Sequence, residues 1–567
     1  MKPFTNSWFA DKLGAAIRSA DRRYTPNAHV ALPINRNFHW LGRTEDFHQE
    51  WQELYARYEK QCDELYVLPA LAKQGLLSSK RAERFEKRLK ALSGLVRGLT
   101  PVGFRPIAYS GVAGPARSIL HGLEPIETTI WDLQSKARLQ RKSPQATSQS
   151  ASSVPQQQTP SQQPPPQAEK KLPKLSESDI EGLLHQVREI IGLLWNTLRL
   201  AEDYLARLSN QPTLLLIGEA GIGKTHLLCD LAKQRLKGGY PTVLVLADQL
   251  STMTDPLQAV IGRLGLTMNN EEFLRRLNTI ARRRDKRALI LVDAINESDR
   301  QAWKKGLPGI LEQCRKYPGV GLVLSCRSPF HLTTVPRRAK INRLTHQGYR
   351  ERELEAVRKY FLEYNLRLPE VPLLAGEFSN PLFLKIFCES LEHAVIKKKH
   401  ARIREISSGQ EGMLNVFEDF VLQRAKRVST AFGLRPLAIW KIMKEGVAAK
   451  MAELGGASLT LPETHAVFRD QGISRGKERA LVKALRNEGL LSEDVLYNPT
   501  TRKATEVVRF PYQKFSDHLI ARYLLKDLNR TDPAQSLAPG TVLGDLLAPS
   551  QGVSVMLPIF QAGAKRV

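Results

Sequence analysis

Three glycines, a lysine and a threonine stand at fixed spacing in Gly218-Glu219-Ala220-Gly221-Ile222-Gly223-Lys224-Thr225, followed directly by His226. The glycines let the backbone curl until its N–H groups surround an anion at the start of a helix, where the dipole also favours negative charge. Lys224 supplies a mobile point charge suited to β- and γ-phosphates, and the Thr225 hydroxyl suits a Mg²⁺ ion. The pattern fits G-x-x-x-x-G-K-T. Its chemistry is that of a nucleoside triphosphate bound with magnesium.

A second constellation follows about seventy residues on, at Asp293-Ala-Ile-Asn-Glu297, with acidic groups at the end of an apolar run. Asp293 is expected to hold the metal's water shell and Glu297 to polarise an attacking water. Asn296 or a helix-capping role competes for Glu297, and a strand-end turn competes for Asp293. A third group is Ser325-Cys326-Arg327. Arg327 is expected either to sense the γ-phosphate or to be an ordinary surface arginine.

The elements around these residues alternate. Leu214–Ile217, Val243–Ala247, Ala288–Val292 and Val320–Ser325 read as buried strands, separated by helical patterns such as Leu227, Leu228 and Leu231 after the glycine loop. Such alternation predicts a parallel sheet covered on both faces. Ligands then sit at the carboxyl ends of the strands, where all three constellations fall. Beyond 345 the pattern turns helical, through Leu354, Val357, Tyr360 and Phe361 and then Asn380-Pro381-Leu-Phe-Leu. Later still, a helix over 476–488, a hairpin around Asn498-Pro-Thr and a helix from Phe515 to Leu525 read as a winged helix.

Before the loop, Phe47, Trp51, Leu54, Tyr58, Cys62 and Leu65, and then Phe85, Leu89, Leu92, Val96 and Leu99, recur at helical spacing. An extended arm at Arg23-Tyr-Thr-Pro-Asn precedes them. Residues 143–174 are rich in Gln, Pro and Ser and cannot bury a core, so they read as a disordered linker. The expected organisation is a helical N-terminal region over 1–142, that linker, a P-loop core with a leading helix over 175–345, a helical domain over 346–411, a winged-helix-like domain over 412–528 and the start of a further segment over 529–567. The fold class is multidomain, α/β plus α, with an ASCE-type P-loop sheet.

With 84 Lys and Arg against 57 Asp and Glu, the net charge is +27. That charge attracts nucleic acid or acidic partners at long range, although scattered, solvated helix faces explain it as well. The five cysteines form no C-x-x-C pair, which points to buried thiols in a reducing cytoplasm rather than disulfides or zinc. No run of 18 apolar residues suggests a membrane span. G-x-S-x-G and H-E-x-x-H are both absent from the sequence, so hydrolases of those kinds find no support.

Gly218–Thr225, Asp293–Glu297, Ser325–Arg327, the Asn380-Pro381 block and Phe510-Pro-Tyr-Gln-Lys-Phe-Ser-Asp-His518 together resemble the STAND class of signalling ATPases, and within it the NACHT-like branch of bacterial antiviral proteins. Arg23-Tyr-Thr-Pro26 and Leu41-Gly-Arg-Thr44 resemble the stretch that those proteins place before the ATPase. The resemblance implies a switch in which ADP holds the winged helix closed and ATP permits self-association. It also implies a phage protein as ligand, Pro381 on the adenine side and His518 near the β-phosphate, although a packed-core role competes for His518. Asn296, where many relatives carry an acid, implies slow turnover. Complete members carry an effector before and a repeat sensor after the ATPase, so a fragment, a frameshifted gene or half of a split system is expected. The competing expectations are an initiator- or loader-like AAA+ ATPase gripping DNA through a basic winged helix, with weak nonspecific binding, and a scaffold that binds nucleotide without appreciable hydrolysis.

Overall fold

The computed structural model of the chain describes residues 2–63, 78–99, 101–142, 176–250, 255–368, 376–397, 410–497, 504–511 and 513–526, with Gln535 and Ala538. The expected linker at 143–174 lies outside the described residues, as does nearly all of 529–567. The chain divides into two compact units, one of Met1–Asn35, Thr213–Leu277 and Ala288–Val567, the other of Arg36–Pro212 with Asn278–Arg287.

The first unit is built on a five-stranded parallel sheet in the order β2-β3-β4-β1-β5. Its strands are β1 (Thr213–Gly218), β2 (Thr242–Leu246), β3 (Ala288–Asp293), β4 (Val320–Arg327) and β5 (Asn342–Thr345). The first four are apolar along almost their whole length and buried on both faces, as central parallel strands must be. β4 lies between the loop strand β1 and the acidic strand β3, which is the ASCE arrangement expected. Register brings the chemistry together: Gly218 is level with Arg327 across β1 and β4, and Leu246 with Asp293 across β2 and β3. β5 went unrecognised in the sequence because it is short, edge-placed and alternately exposed.

The P-loop helix runs Lys224–Lys237, and the helix Asn6–Ala20 packs on it and on β2. Trp8, Phe9, Leu13 and Ala16 are the buried face of that first helix. The lid helices Glu353–Glu363 and Pro381–Lys397 share one hydrophobic core with the C-terminal elements. Those elements comprise β6 (Leu459–Thr460), helices Leu461–Asp470 and Glu478–Asn487, β7 (Ser492–Tyr497), β8 (Ala504–Arg509) and the helix Gln513–Leu524. Their strands form an antiparallel sheet in the order β6-β8-β7. Thr460 opens its helix with a reciprocal capping box to Glu463.

The second unit is helical. The long helices Ser110–Lys142 and Glu177–Glu202 pack on each other, with Arg188 paired to Glu127 at 2.9 Å. In its core Trp40 meets Phe47 edge-on, and Trp51 meets Tyr109 edge-on. Arg43 is buried with its guanidinium donating to the carbonyls of Ser209 at 3.2 Å and Gly103 at 2.8 Å. These two backbone carbonyls and Asn210 Oδ1, at 3.2 Å, rather than a carboxylate satisfy this arginine, and burial pushes it down to about 10.

Two expected boundaries move. Residues 1–35 belong with the sheet and not with the helical region, because the first helix buries its apolar face on β2 and the P-loop helix. The leading helix over 177–202 belongs instead with the helical unit, because Ile180, Leu184, Val187 and Leu194 are buried where it meets Ser110–Lys142.

Candidate functional site

Loop geometry comes first. Gly221 and Gly223 have φ of +74° and +97°, the left-handed region that a side chain rarely adopts. A Cβ on Gly221 would stand 2.7 Å from Leu382, and one on Gly223 would stand 3.2 Å from Pro381. Both positions therefore need glycine for conformation and for space. The Lys224 ammonium donates to the carbonyls of Gly218 and Glu219, each at 2.7 Å, and so lies across the loop it serves. Burial, with the charge of Arg327 beside it, pushes Lys224 down to about 8.

The metal-side residues are connected. The Thr225 hydroxyl donates to Asp293 Oδ2 at 2.7 Å, and the Ser325 hydroxyl donates to Asp293 Oδ1 at 2.5 Å. Ser325 in turn accepts the N–H of Ala294 at 2.8 Å. Ala294 carries a φ of +56°, a strained value for a residue with a Cβ, and this bend turns the chain away from β3 just after Asp293.

Glu297 is the electrostatic centre. Its side chain is 9% exposed, and Arg327 Nη2 donates to Oε1 at 2.6 Å. Arg23 Nη1 lies 3.9 Å from Oε2. Burial alone would raise the carboxyl, but the charges of Arg327, Arg486 and Arg23 outweigh it and hold the group below its usual range. Asn296 is not a spare ligand, since its Oδ1 accepts the backbone N–H of Arg327 at 3.0 Å and ties β3 to β4.

These groups line one cavity of about 450 Å³. Ala220, Gly221, Gly223, Lys224, Thr225, His226, Asp293, Glu297, Arg327 and Pro381 all face it, while Gly218, Glu219 and Ile222 complete the loop behind them. Asn380 caps the lid helix, its Oδ1 accepting from Leu382 N–H at 3.0 Å, and Leu382 N–H also donates to the Gly221 carbonyl at 3.2 Å. The lid helix thus docks by its N-terminus on the loop. His226 Nδ1 accepts the N–H of Thr25 at 3.4 Å, and the ring stacks on His29. Burial and the neighbouring His29 and Lys385 push His226 down to about 3, so the ring is neutral.

His518 is not brought here. It is 4% exposed on the helix Gln513–Leu524, whose Phe515, Leu519 and Ile520 belong to the hydrophobic core, and it is absent from the cavity lining. The C-terminal elements instead present Arg486, Asn487, Glu488, Gly489 and Ser492. Arg23, Thr25, Asp248, Lys385 and Arg424 also line the cavity and were not recognised in the sequence. Asp248 could have been found, because it follows the carboxyl end of a parallel strand. Arg486, on the helix Glu478–Asn487, turns inward and pairs with Glu493 at 2.9 Å.

A nucleoside triphosphate fits this set. A Cβ at Gly221 or Gly223 would run into Leu382 or Pro381 at the cavity wall, and Thr225 and Asp293 stand together where a magnesium ion would bind. The volume is that of a ligand pocket. Residues 206–321 match the family model of the AAA domain, and the P-loop domain is of AAA type. No curated protein matches the chain. The ORC1 protein of Aeropyrum pernix in complex with DNA aligns at 16% identity over 56% of this chain and 86% of that one, with a TM-score of 0.29. Cdc6p of Pyrobaculum aerophilum aligns at 11% over 56% and 89%, with a TM-score of 0.25. DnaA of Aquifex aeolicus, bound to AMPPCP, aligns at 17% over 48% and 80%, again at 0.25. Among the described residues, no helix is long and apolar enough to cross a membrane.

Proposed function

We propose that the protein is an ATP-dependent conformational switch of STAND type, with slow hydrolysis, whose nucleotide state governs self-association. One observation carries the reading: residues of the N-terminal arm, the P-loop, the lid helix and the C-terminal unit, separated by hundreds of positions, line a single cavity. A ligand that touches all four segments couples them, since it biases whichever arrangement it contacts best. ATP with Mg²⁺ supplies the transferable phosphoryl group and its charge neutralisation. Thr225 and Asp293 would hold the ion, with Ser325 fixing the carboxylate. Lys224 and Arg327 carry positive charge to the phosphate end. Glu297 orients a water and takes its proton. Pro381, Leu382 and His226 make the apolar wall for a base.

A role in anti-phage defence, with a phage protein as trigger, rests on the resemblance in sequence alone. Scattering and size-exclusion measurements with Mg-ADP and Mg-ATP test the switch. Expansion or assembly with ATP, lost in Lys224→Ala, is expected; identical profiles in both nucleotides would remove it.

A second reading, a DNA-gripping AAA+ ATPase, is favoured by exposed Arg475, Lys477, Arg479 and Lys483 at the start and on the outer face of the helix Glu478–Asn487. With Arg486 turned inward, we expect weak binding that disappears above physiological salt. A footprint on one defined duplex at such salt would favour this reading over the switch.

A further inference from the structure

We propose that Arg23, from the N-terminal arm, is a positioning residue for Glu297. This rests on the hydrolytic reading of the site. Arg23 is held from behind: its Nε donates to the Ala20 carbonyl and its Nη2 to the Ser19 carbonyl, both at 3.4 Å. These are carbonyls of the last turn of the helix Asn6–Ala20, where the helix dipole is negative and a cation is favoured. The guanidinium also reaches two acids that follow neighbouring strands. Nη2 lies 3.3 Å from Asp248 and Nη1 lies 3.9 Å from Glu297.

Arg23 therefore spans from the end of a helix to the carboxylate that would activate water, and Asp248 fixes its direction. Arg327 grips Oε1 of Glu297 while Arg23 faces Oε2, so the carboxylate is approached from both oxygens. A side chain this long, if anchored only at its backbone, would lose much of its positioning value to rotamer freedom. Two carbonyls and Asp248 restrict that freedom beforehand.

The arm itself is fixed by neighbours of Arg23. Lys385 of the lid helix donates to the Thr25 hydroxyl at 2.9 Å, and the Tyr24 hydroxyl donates to Asp230 of the P-loop helix at 3.4 Å. Displacement of the arm thus moves Arg23 and alters how Glu297 is held. The arm becomes a lever on the hydrolytic group.

The test uses the full chain and the variants Arg23→Ala, Arg23→Lys and Asp248→Asn. Arg23→Ala should lower kcat about tenfold to a hundredfold, with KM within about twofold of wild type. Calorimetry with Mg-ADP and Mg-ATP should give affinities within about twofold for both. Arg23→Lys should restore only part of kcat, because an ammonium cannot span two carboxylates as a guanidinium does. Asp248→Asn should reproduce a smaller loss and serves if Arg23→Ala fails to fold. In a Glu297→Gln background, Arg23→Ala should change kcat no further. A raised KM with unchanged kcat, a selective loss of Mg-ATP affinity, or a full-sized effect in the Glu297→Gln background would overturn the proposal. Wild-type protein that binds Mg-ATP without turnover would remove this role and the hydrolytic reading together, leaving nucleotide binding intact. Failure to bind would remove the nucleotide site itself.

Discussion

Arg327 and Glu297 are joined at 2.6 Å, one at the end of β4 and the other in the turn that follows β3, with both side chains largely shielded from water. Shielding strengthens the pair, since no bulk solvent competes for either charge. On the proposed hydrolytic reading, the one arginine would serve both as counter-ion to the carboxylate that activates water and as charge at the phosphate end.

Arg327→Ala should therefore lower turnover by about a hundredfold or more, as removal of a preorganised charge does in a water-excluded site. Arg327→Lys should recover little, because Arg327 also depends on planar geometry to reach Oε1. Steady-state kinetics with calorimetric affinities checks this; wild-type turnover in Arg327→Ala would leave the arginine as a surface counter-ion only.

Ser325 donates to Asp293, the carboxylate proposed to hold the magnesium ion. Ser325→Ala deletes the 2.5 Å bond to Asp293 and leaves Thr225 and Asp293 themselves in place. The Mg²⁺ concentration for half-maximal activity should rise about tenfold or more, as loss of an outer hydrogen bond does to a metal ligand. Affinity for metal-free nucleotide should not move. A magnesium titration at fixed ATP distinguishes the two.

Much of the core was legible because its residues are contiguous or uniformly apolar. Leu214–Ile217 and Ala288–Val292 are buried along their whole length, and the glycine loop carries its chemistry within eight positions. Arg23 and Arg486 were illegible as site residues for the opposite reason. Each gains its role only when distant segments meet at the strand ends. Residues 1–35 were grouped with the helices after them because chain proximity was the guide, whereas Trp8, Phe9 and Leu13 bury a helix face on the sheet side. His518 was misleading because a motif position fixes a residue type and not the direction a helix faces.

Asp517, beside His518, gives a pH prediction with an unusual sign. Burial pushes its carboxyl up to about 6. A folded-state value above the unfolded one stabilises fully below the unfolded value of about 4, and that contribution is lost as pH rises through about 6. Asp517→Asn cannot ionise and escapes the loss. Its thermal midpoint should exceed wild type above pH 6 and match it near pH 4. Equal midpoints at every pH would mean that the carboxyl titrates alike in both states.

If one nucleotide is held by four separated segments, hydrogen–deuterium exchange with and without Mg-ATP reads it at all four. Amides over 19–30, 218–226 and 486–492 and at the start of the lid helix should gain protection together, with no gain anywhere in Lys224→Ala. Protection confined to 218–226 would contradict the account, leaving an ordinary P-loop with no coupling to the arm or to the C-terminal unit.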